Sequence, residues 1–365
     1  MPGSMAFERD NIARMHGYTP GEQPQTGDVV KLNTNENPYP PAQAVLDAVH
    51  GVTGEMLRRY PPPRASGFRD TAARVHDLKP ENVIATNGGD ELLRLAVTVF
   101  CQSKAGQPQG PGGMGETDPT YSLYDTLAEV HNTPITRIDL RDDWSLPDNF
   151  AAKLNEAGCR LALVVNPHAP SGRLEPLDTL RSVAGRFRGV LLIDEAYVDF
   201  AERDALDLVR GDEAMKNVLI LRTLSKGYSL AGLRFGYGLG HAELIAALDK
   251  ARDSYNTDVI AQRSAVAALE SRDHALKNCR AVIDERRRLA EALAQRGYTV
   301  YPSQSNFLLA AVAASGASAA TIYQSLKAGG VFVRYFDHTR LRDKLRITVG
   351  SPEQNDALLA ALDAL

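Results

Sequence analysis

In Thr223-Leu224-Ser225-Lys226-Gly227-Tyr228-Ser229-Leu230-Ala231-Gly232-Leu233-Arg234-Phe235-Gly236-Tyr237, one lysine sits among small and hydroxylated residues. The apolar run Val218-Leu219-Ile220-Leu221 just before it reads as a buried strand. Arg234 follows the lysine by eight positions, beside Gly232 and Gly236, and glycines let a backbone approach a ligand closely. Hydroxyls with an arginine fork suit a phosphate. A lysine held in such a pocket is placed to form a Schiff base with an aldehyde. An amine and a phosphate site together point to pyridoxal phosphate (PLP), the electron sink of amine chemistry. The plainer reading is a solvated lysine and a helix-end arginine. It leaves unexplained why Thr223, Ser225 and Arg234 gather around a lysine that directly follows a buried strand.

The chain has 365 residues, room for one large and one smaller domain. With 44% hydrophobic and 24% charged residues it has the make-up of a soluble globular enzyme. A net charge of -4 gives no pull toward nucleic acid or an anionic membrane. Cys101, Cys159 and Cys279 are far apart and odd in number, which fits neither a metal site nor a disulfide framework and suggests a reducing, cytoplasmic setting. Each reads as a small buried apolar residue. No run has the length of a membrane span, and no charged-then-apolar secretory leader opens the chain. Met1-Pro2-Gly3-Ser4-Met5 reads as an appended leader and is set aside.

Alternating strand-like and helix-like stretches predict an α/β fold with a mainly parallel sheet. Residues 6–41 are polar and Pro-rich, an extended arm. A helix is predicted from Pro41 to Val52, and the prolines of Arg58-Arg59-Tyr60-Pro61-Pro62-Pro63 make an extended turn. Asn82–Thr86 reads as a short strand. Asn87-Gly88-Gly89-Asp90-Glu91 then opens a helix from Leu92 to Phe100, presenting free amides and the positive dipole end to an anion, with Asp90 as the N-cap candidate. Residues 102–117 contain no apolar run, and a flexible loop is expected there; a strand built from poor side chains, or a displaced one, remains open. In Asp118-Pro119-Thr120-Tyr121-Ser122-Leu123-Tyr124 an aromatic is available to stack on a planar ring. Leu161–Val165 is a buried strand ending at Asn166-Pro167-His168-Ala169-Pro170-Ser171-Gly172, with His168 expected as an exposed loop residue. Val190–Ile193 is another, capped by Asp194-Glu195-Ala196-Tyr197. A carboxylate at a strand's C-terminal end lies where open α/β sheets bind ligands.

Toward the C-terminus, residues 240–270 read as largely helical and 280–296 as an amphipathic helix with a solvated charged face. Residues 299–309 read as two short strands. Arg334 and Arg346 each sit in a strand-like apolar run, where an arginine must find an anion or face water.

Ser225-Lys226-x-x-x-Leu230-Ala231-Gly232-Leu233-Arg234-x-Gly236-Tyr237 resembles the signature of the fold-type I, PLP-dependent aminotransferases, most of all the histidinol-phosphate aminotransferase branch. The resemblance runs from about Tyr18 to Gly350, with the motifs in family order. It implies the aspartate aminotransferase-like fold: an arm (1–41) that joins the small domain and a dimer interface, a large PLP-binding domain (42–265) and a small α+β domain (266–365). It implies that Lys226, Asp194 and Tyr197 are catalytic, with Asp194 at the pyridine nitrogen and Tyr197 at the phenolic oxygen. Asn166 would also bond that oxygen, and Tyr121 would pack on the ring. The Gly89 and Asp90 amides would hold the cofactor phosphate with Thr223, Ser225 and Arg234, joined by Tyr60 of the second subunit. Tyr18, Asn37, Arg334 and Arg346 would face the substrate. The usual Asn-Pro-Asn-Asn-Pro-Thr-Gly is here changed at His168, Ala169 and Ser171, and Arg252-Asp253-Ser254-Tyr255-Asn256 stands where Arg-Pro-Pro-Tyr-Asn is common.

The activity so implied is transfer of an amino group from a small-molecule donor, histidinol phosphate, to a 2-oxo acid such as 2-oxoglutarate, as in histidine biosynthesis. An aromatic amino-acid aminotransferase, an amino-acid-phosphate lyase of the same fold, and a non-enzymatic regulator remain as other readings.

Overall fold

The computed structural model describes residues 7–18, 21–24, 29–103, 112–211, 213–313 and 316–365. The leader at 1–5, Thr19-Pro20 and most of the Gly/Pro-rich stretch after Gln102 lie outside the described residues.

A seven-stranded sheet runs in the order Val83–Thr86, Gly236–Gly240, Val218–Thr223, Val190–Asp194, Leu161–Val165, Met114–Asp118, Ile135–Asp139. Gly236–Gly240 is antiparallel to both neighbours, and the other pairings are parallel. The runs Leu161–Val165, Val190–Ile193 and Val218–Leu221 are continuously apolar because both faces of the sheet are covered there. Successive side chains of one strand point to opposite faces. Ala162 and Val164 thus join one apolar cluster with Phe68 and Phe235, while Leu161, Leu163 and Val165 join another with Leu92 and Tyr124.

The C-terminal part forms a second, antiparallel sheet in the order Arg334–Tyr335, Lys344–Thr348, Phe307–Ala311, Thr299–Val300. It has its own apolar cluster, including Leu289, Leu293, Leu308, Ile347 and Leu358. The arm is anchored here. Val30–Lys31 pairs in parallel with Val331–Phe332, and Leu32, 1% exposed, belongs to the same cluster. Among the described residues no helix is long and apolar enough to cross a membrane. Cys159 and Cys279 are buried, Cys101 is half-buried, and all three are free thiols.

Several expectations change. A strand does form at Met114–Asp118, where a loop was expected. Its side chains are poor strand formers, yet backbone pairing on both sides holds it, to Ile135–Asp139 and to Leu161, Ala162 and Leu163. Gly115 is there because a Cβ would overlap the buried Leu154 side chain, and Glu116 is tolerated because Arg137 Nε lies 3.2 Å from its Oε1. The helix expected from Leu92 begins at Gly88, so Asp90 lies in its first turn and Asn87 occupies the N-cap position. The helical stretch after Gly240 is two helices, Ala242–Ala251 and Val259–Glu270, interrupted where Tyr255 takes a φ of 53°. The amphipathic helix is longer than its charge pattern suggested, Arg272–Gln295, and the predicted helix after Pro41 spans Gln43–His50.

Gly115→Ala is expected to destabilise the chain by about 1–3 kcal/mol through overpacking against Leu154. The urea midpoint measures this, and an unchanged midpoint would mean that the strand sits more loosely than described.

Candidate active site

The C-terminal ends of the parallel strands, the arm and the second sheet enclose a cavity of about 460 Å³. Its walls include Tyr18, Gly89, Asp90, Tyr121, Asp194, Tyr197, Thr223, Ser225, Lys226, Arg234, Arg334 and Arg346. Residues as far apart in sequence as Tyr18 and Arg346 thus share one space.

Lys226 follows the strand Val218–Thr223 directly. Its Nζ donates to the Thr34 carbonyl at 2.9 Å and lies 6.0 Å from the Tyr197 ring centroid. Burial, then the positive charges of Arg346 and Arg234, push its pKa down to about 8. An amine so placed is available as a nucleophile and proton carrier near neutrality.

Asp194 ends the neighbouring strand and is 4% exposed. Its Oδ2 accepts from Tyr124 Oη at 2.8 Å and its Oδ1 from the Ala196 N–H at 3.0 Å. Burial pushes this carboxyl up to about 6. A cationic ring N–H beside it would favour the anion again. Tyr197 Oη accepts from Asn35 Nδ2 at 3.0 Å, and its ring meets Phe307 edge-on at 5.0 Å.

One end of the cavity is built for an anion. The helix Gly88–Phe100 points its N-terminus into it, and Arg234 Nη2 stands 3.3 Å from Asp90 Oδ2. Gly88 has a φ of 76°, and a Cβ on it would come 2.8 Å from Arg234 Nη2. A Cβ on Gly236 would come 2.6 Å from the Gly88 carbonyl carbon and 2.7 Å from Gly89 N. Glycine at both positions lets the turn and the guanidinium close together. Thr223 Oγ1 donates to Ser225 Oγ at 2.9 Å on the adjoining wall.

The cavity wall also carries two further arginines. Arg334 and Arg346 are paired across the antiparallel sheet. Among the described residues neither makes a salt bridge. Arg346 lies over the rings of Phe307 and Phe336 at 5.3 and 5.4 Å, and its Nη2 donates to the Asn33 carbonyl at 3.0 Å. Its Nε is buried without a hydrogen-bond partner. Tyr18 meets Tyr121 edge-on at 6.1 Å beside them.

Three expected residues stand apart from the cavity wall. Asn166 is 2% exposed, and its Oδ1 accepts from the Glu175 N–H at 2.8 Å, which leaves the amide nitrogen as its donor end. Asn37 turns away. Its Nδ2 donates to the Lys226 carbonyl at 3.1 Å, so it steadies the lysine's backbone, and Asn33 and Asn35 line the cavity instead. Tyr60 is 81% exposed and stacks on Tyr255 at 4.5 Å, outside the cavity of its own chain. His168, expected at the surface, is buried because it bonds Ser171 and the Pro119 carbonyl. Sequence reasoning missed Asn35 and Tyr124. The alternation Asn33-Thr34-Asn35-Glu36-Asn37 offered three asparagines with nothing local to choose among them, and Tyr124 reads locally as a core aromatic.

The family model for aminotransferase class I and II matches residues 27–362. The chain is 44% identical over 359 residues to histidinol-phosphate aminotransferase 1 of Nostoc sp., a match spanning 98% of this chain and 97% of that protein. Its structure resembles the crystal structure of histidinol-phosphate aminotransferase from Sinorhizobium meliloti in complex with pyridoxal-5'-phosphate. The TM-score is 0.83 at 26% identity, over 91% of this chain and 89% of the other. A Thermus thermophilus aspartate aminotransferase mutant shares the fold, with a TM-score of 0.79 at 19% identity over 100% and 99% of the two chains.

The environment of Lys226 sets a pH dependence. A depressed pKa means that the neutral amine appears as pH rises through about 8. Capture of pyridoxal phosphate by the cofactor-free protein, followed by absorption, should therefore titrate near pH 8. Arg346→Met should move the inflection upward, since removing a nearby cation favours the ammonium form. An inflection that stays put would show that Arg346 does not act on the lysine.

Proposed function

The chain belongs to the class I and II aminotransferases, and from that membership we propose that it moves the amino group of histidinol phosphate to a 2-oxo acid, with 2-oxoglutarate as acceptor. The observation that carries the substrate is the pair Arg334 and Arg346, side by side across the sheet at one end of the cavity, without a carboxylate partner among the described residues. Two adjacent guanidinium forks suit a phosphate dianion. A lone carboxylate, as in an aromatic amino acid, needs only one. The 44% identity to the Nostoc protein supports the same choice.

The enzyme works with pyridoxal phosphate, and the residues present fit it. The phosphate suits the Gly88–Asp90 turn with Arg234, Thr223 and Ser225. Tyr121 would pack on the ring, Asp194 would serve its nitrogen, and Tyr197 with the Asn166 amide would serve its phenolic oxygen. Bound there, the cofactor supplies the aldehyde that accepts the amine and a ring that takes up negative charge. The chain's own groups do the rest. Lys226 Nζ would be the amine that holds the aldehyde, and as a free amine it would take the proton from the substrate carbon and return it, as base and then acid. Asp194, steadied by Tyr124 Oη and the Ala196 N–H, keeps a negative charge where the ring nitrogen needs one. Arg346 binds the donor's phosphate in one half-reaction and the acceptor's carboxylate in the other. Its guanidinium lies over the Phe307 and Phe336 rings and is poorly solvated by burial, so an arriving anion would compensate its charge.

The proposed working unit is a homodimer with the active site at the interface. Tyr60 is outside its own cavity, and Leu46, Val49 and Leu57, earlier in the same part of the chain, are exposed apolar residues. Such a surface suits a second copy, whose Tyr60 would complete the phosphate site. The domain division at about residues 42 and 266 belongs to the same reading.

Lys226→Ala should cut amino transfer by at least about 10²–10⁴-fold, measured as 2-oxoglutarate-dependent consumption of histidinol phosphate. Wild-type turnover in that variant would overturn the mechanism. Arg334→Ala should weaken kcat/KM for histidinol phosphate roughly 10- to 100-fold and that for glutamate much less. Equal losses would remove the phosphate-specific role, and release of CO2 from an amino-acid phosphate would favour the lyase reading.

A further inference from the structure

His168 stands where the family pattern has asparagine, and it is 5% exposed. Its Nε2 lies 2.9 Å from the Pro119 carbonyl oxygen and its Nδ1 lies 2.7 Å from Ser171 Oγ. A carbonyl oxygen only accepts, so Nε2 carries the proton and Nδ1 accepts from the Ser171 hydroxyl. Ser171 Oγ in turn accepts from the Arg173 N–H at 3.3 Å, which fixes the chain of donors. Burial pushes the imidazole down to about 4, so the ring is neutral near pH 7.

The carbonyl it holds opens the segment Pro119-Thr120-Tyr121, all three of which line the cavity, whereas His168 does not. The preceding carbonyl, Asp118 O, accepts from Arg340 Nη1 at 3.4 Å, and the same guanidinium donates to Leu140 O and Arg141 O at 2.8 Å each. Trp144 joins the two grips. Its ring stacks on His168 at 6.3 Å, and the Arg340 guanidinium lies 4.5 Å from its centroid. Two successive carbonyls are thus held by side chains from two other segments. The loop carrying His168 begins at Asn166, whose own orientation is set by Glu175 N–H.

We propose that His168 is a positioning residue whose Nε2–H couples the Asn166 loop to the Pro119–Tyr121 segment. The amide that faces the cofactor's phenolic oxygen and the tyrosine that packs on its ring then keep one spacing. The proposal rests on the roles given above to Asn166 and Tyr121. Spacing matters because a gap of about 0.5–1 Å forfeits a quarter to a half of a dispersion contact.

Three variants separate the donor from the volume. His168→Phe keeps an aromatic ring beside Trp144 and has no N–H. His168→Gln keeps an N–H donor without the ring. Tyr121→Leu removes the wall itself. Pyridoxal phosphate is titrated into each cofactor-free protein and followed by absorption, and the emission of Trp144, the sole tryptophan of the chain, reports the cluster independently of turnover. His168→Phe should bind the cofactor about tenfold more weakly, with shifted Trp144 emission and no matching loss of thermal midpoint. His168→Gln should recover most of the affinity. Wild-type affinity in His168→Phe, or a glutamine variant no better than phenylalanine, overturns the proposal and leaves a histidine that only fills space. If Tyr121→Leu binds like the wild type, the fault lies in the role given to Tyr121 instead. Should His168→Phe not fold, Ser171→Ala frees the tautomer. Weakened affinity there supports the coupling, and unchanged affinity overturns it.

Discussion

A lysine that must give up its proton easily has to be placed where its charge is poorly solvated. Everything around Lys226 answers to that constraint. The strand Val218–Thr223 delivers it to the cavity, Asn37 holds its backbone carbonyl, and the arm offers its amine the Thr34 carbonyl. Burial and two arginines then lower its pKa. Those arginines are also the ones proposed to bind anions, so on that reading the groups that would recognise phosphate and carboxylate also prepare the amine.

Arg234, Arg334, Arg346 and Asp194 all line the one cavity, so it holds three guanidinium groups and a buried carboxyl. The buried Asp194 is stable as an anion only with donors aimed at it, and Tyr124 with the Ala196 amide provides two. Arg346 avoids the cost of burial in part by lying over two aromatic faces, where a guanidinium is attracted to the ring electrons.

Much of this was legible before the fold was known, because the carriers of the chemistry sit at the ends of apolar strands. Val164–Val165, Leu192–Ile193 and Ile220–Leu221 announce buried strands, and a polar residue at the end of each is brought to the same edge of a parallel sheet. Asn166, Asp194 and Lys226 could therefore be grouped from local pattern. The strand Met114–Asp118 could not, since its side chains carry no β preference and it exists through the pairing on its two sides. His168 was misplaced for a related reason: its burial depends on a carbonyl 49 residues away in the sequence.

The chain's local order of residues was enough to determine the strand ends, the lysine, the glycine turn and the cofactor they suit, because those features depend on neighbours within a few positions. Tertiary structure alone decided that Asn33 and Asn35 line the cavity while Asn37 does not, that Tyr124 supports Asp194, and that Arg334 lies beside Arg346. Each of those depends on segments distant in sequence packing side by side, and hydrogen-bond partners across such distances leave no periodicity for local reading to detect.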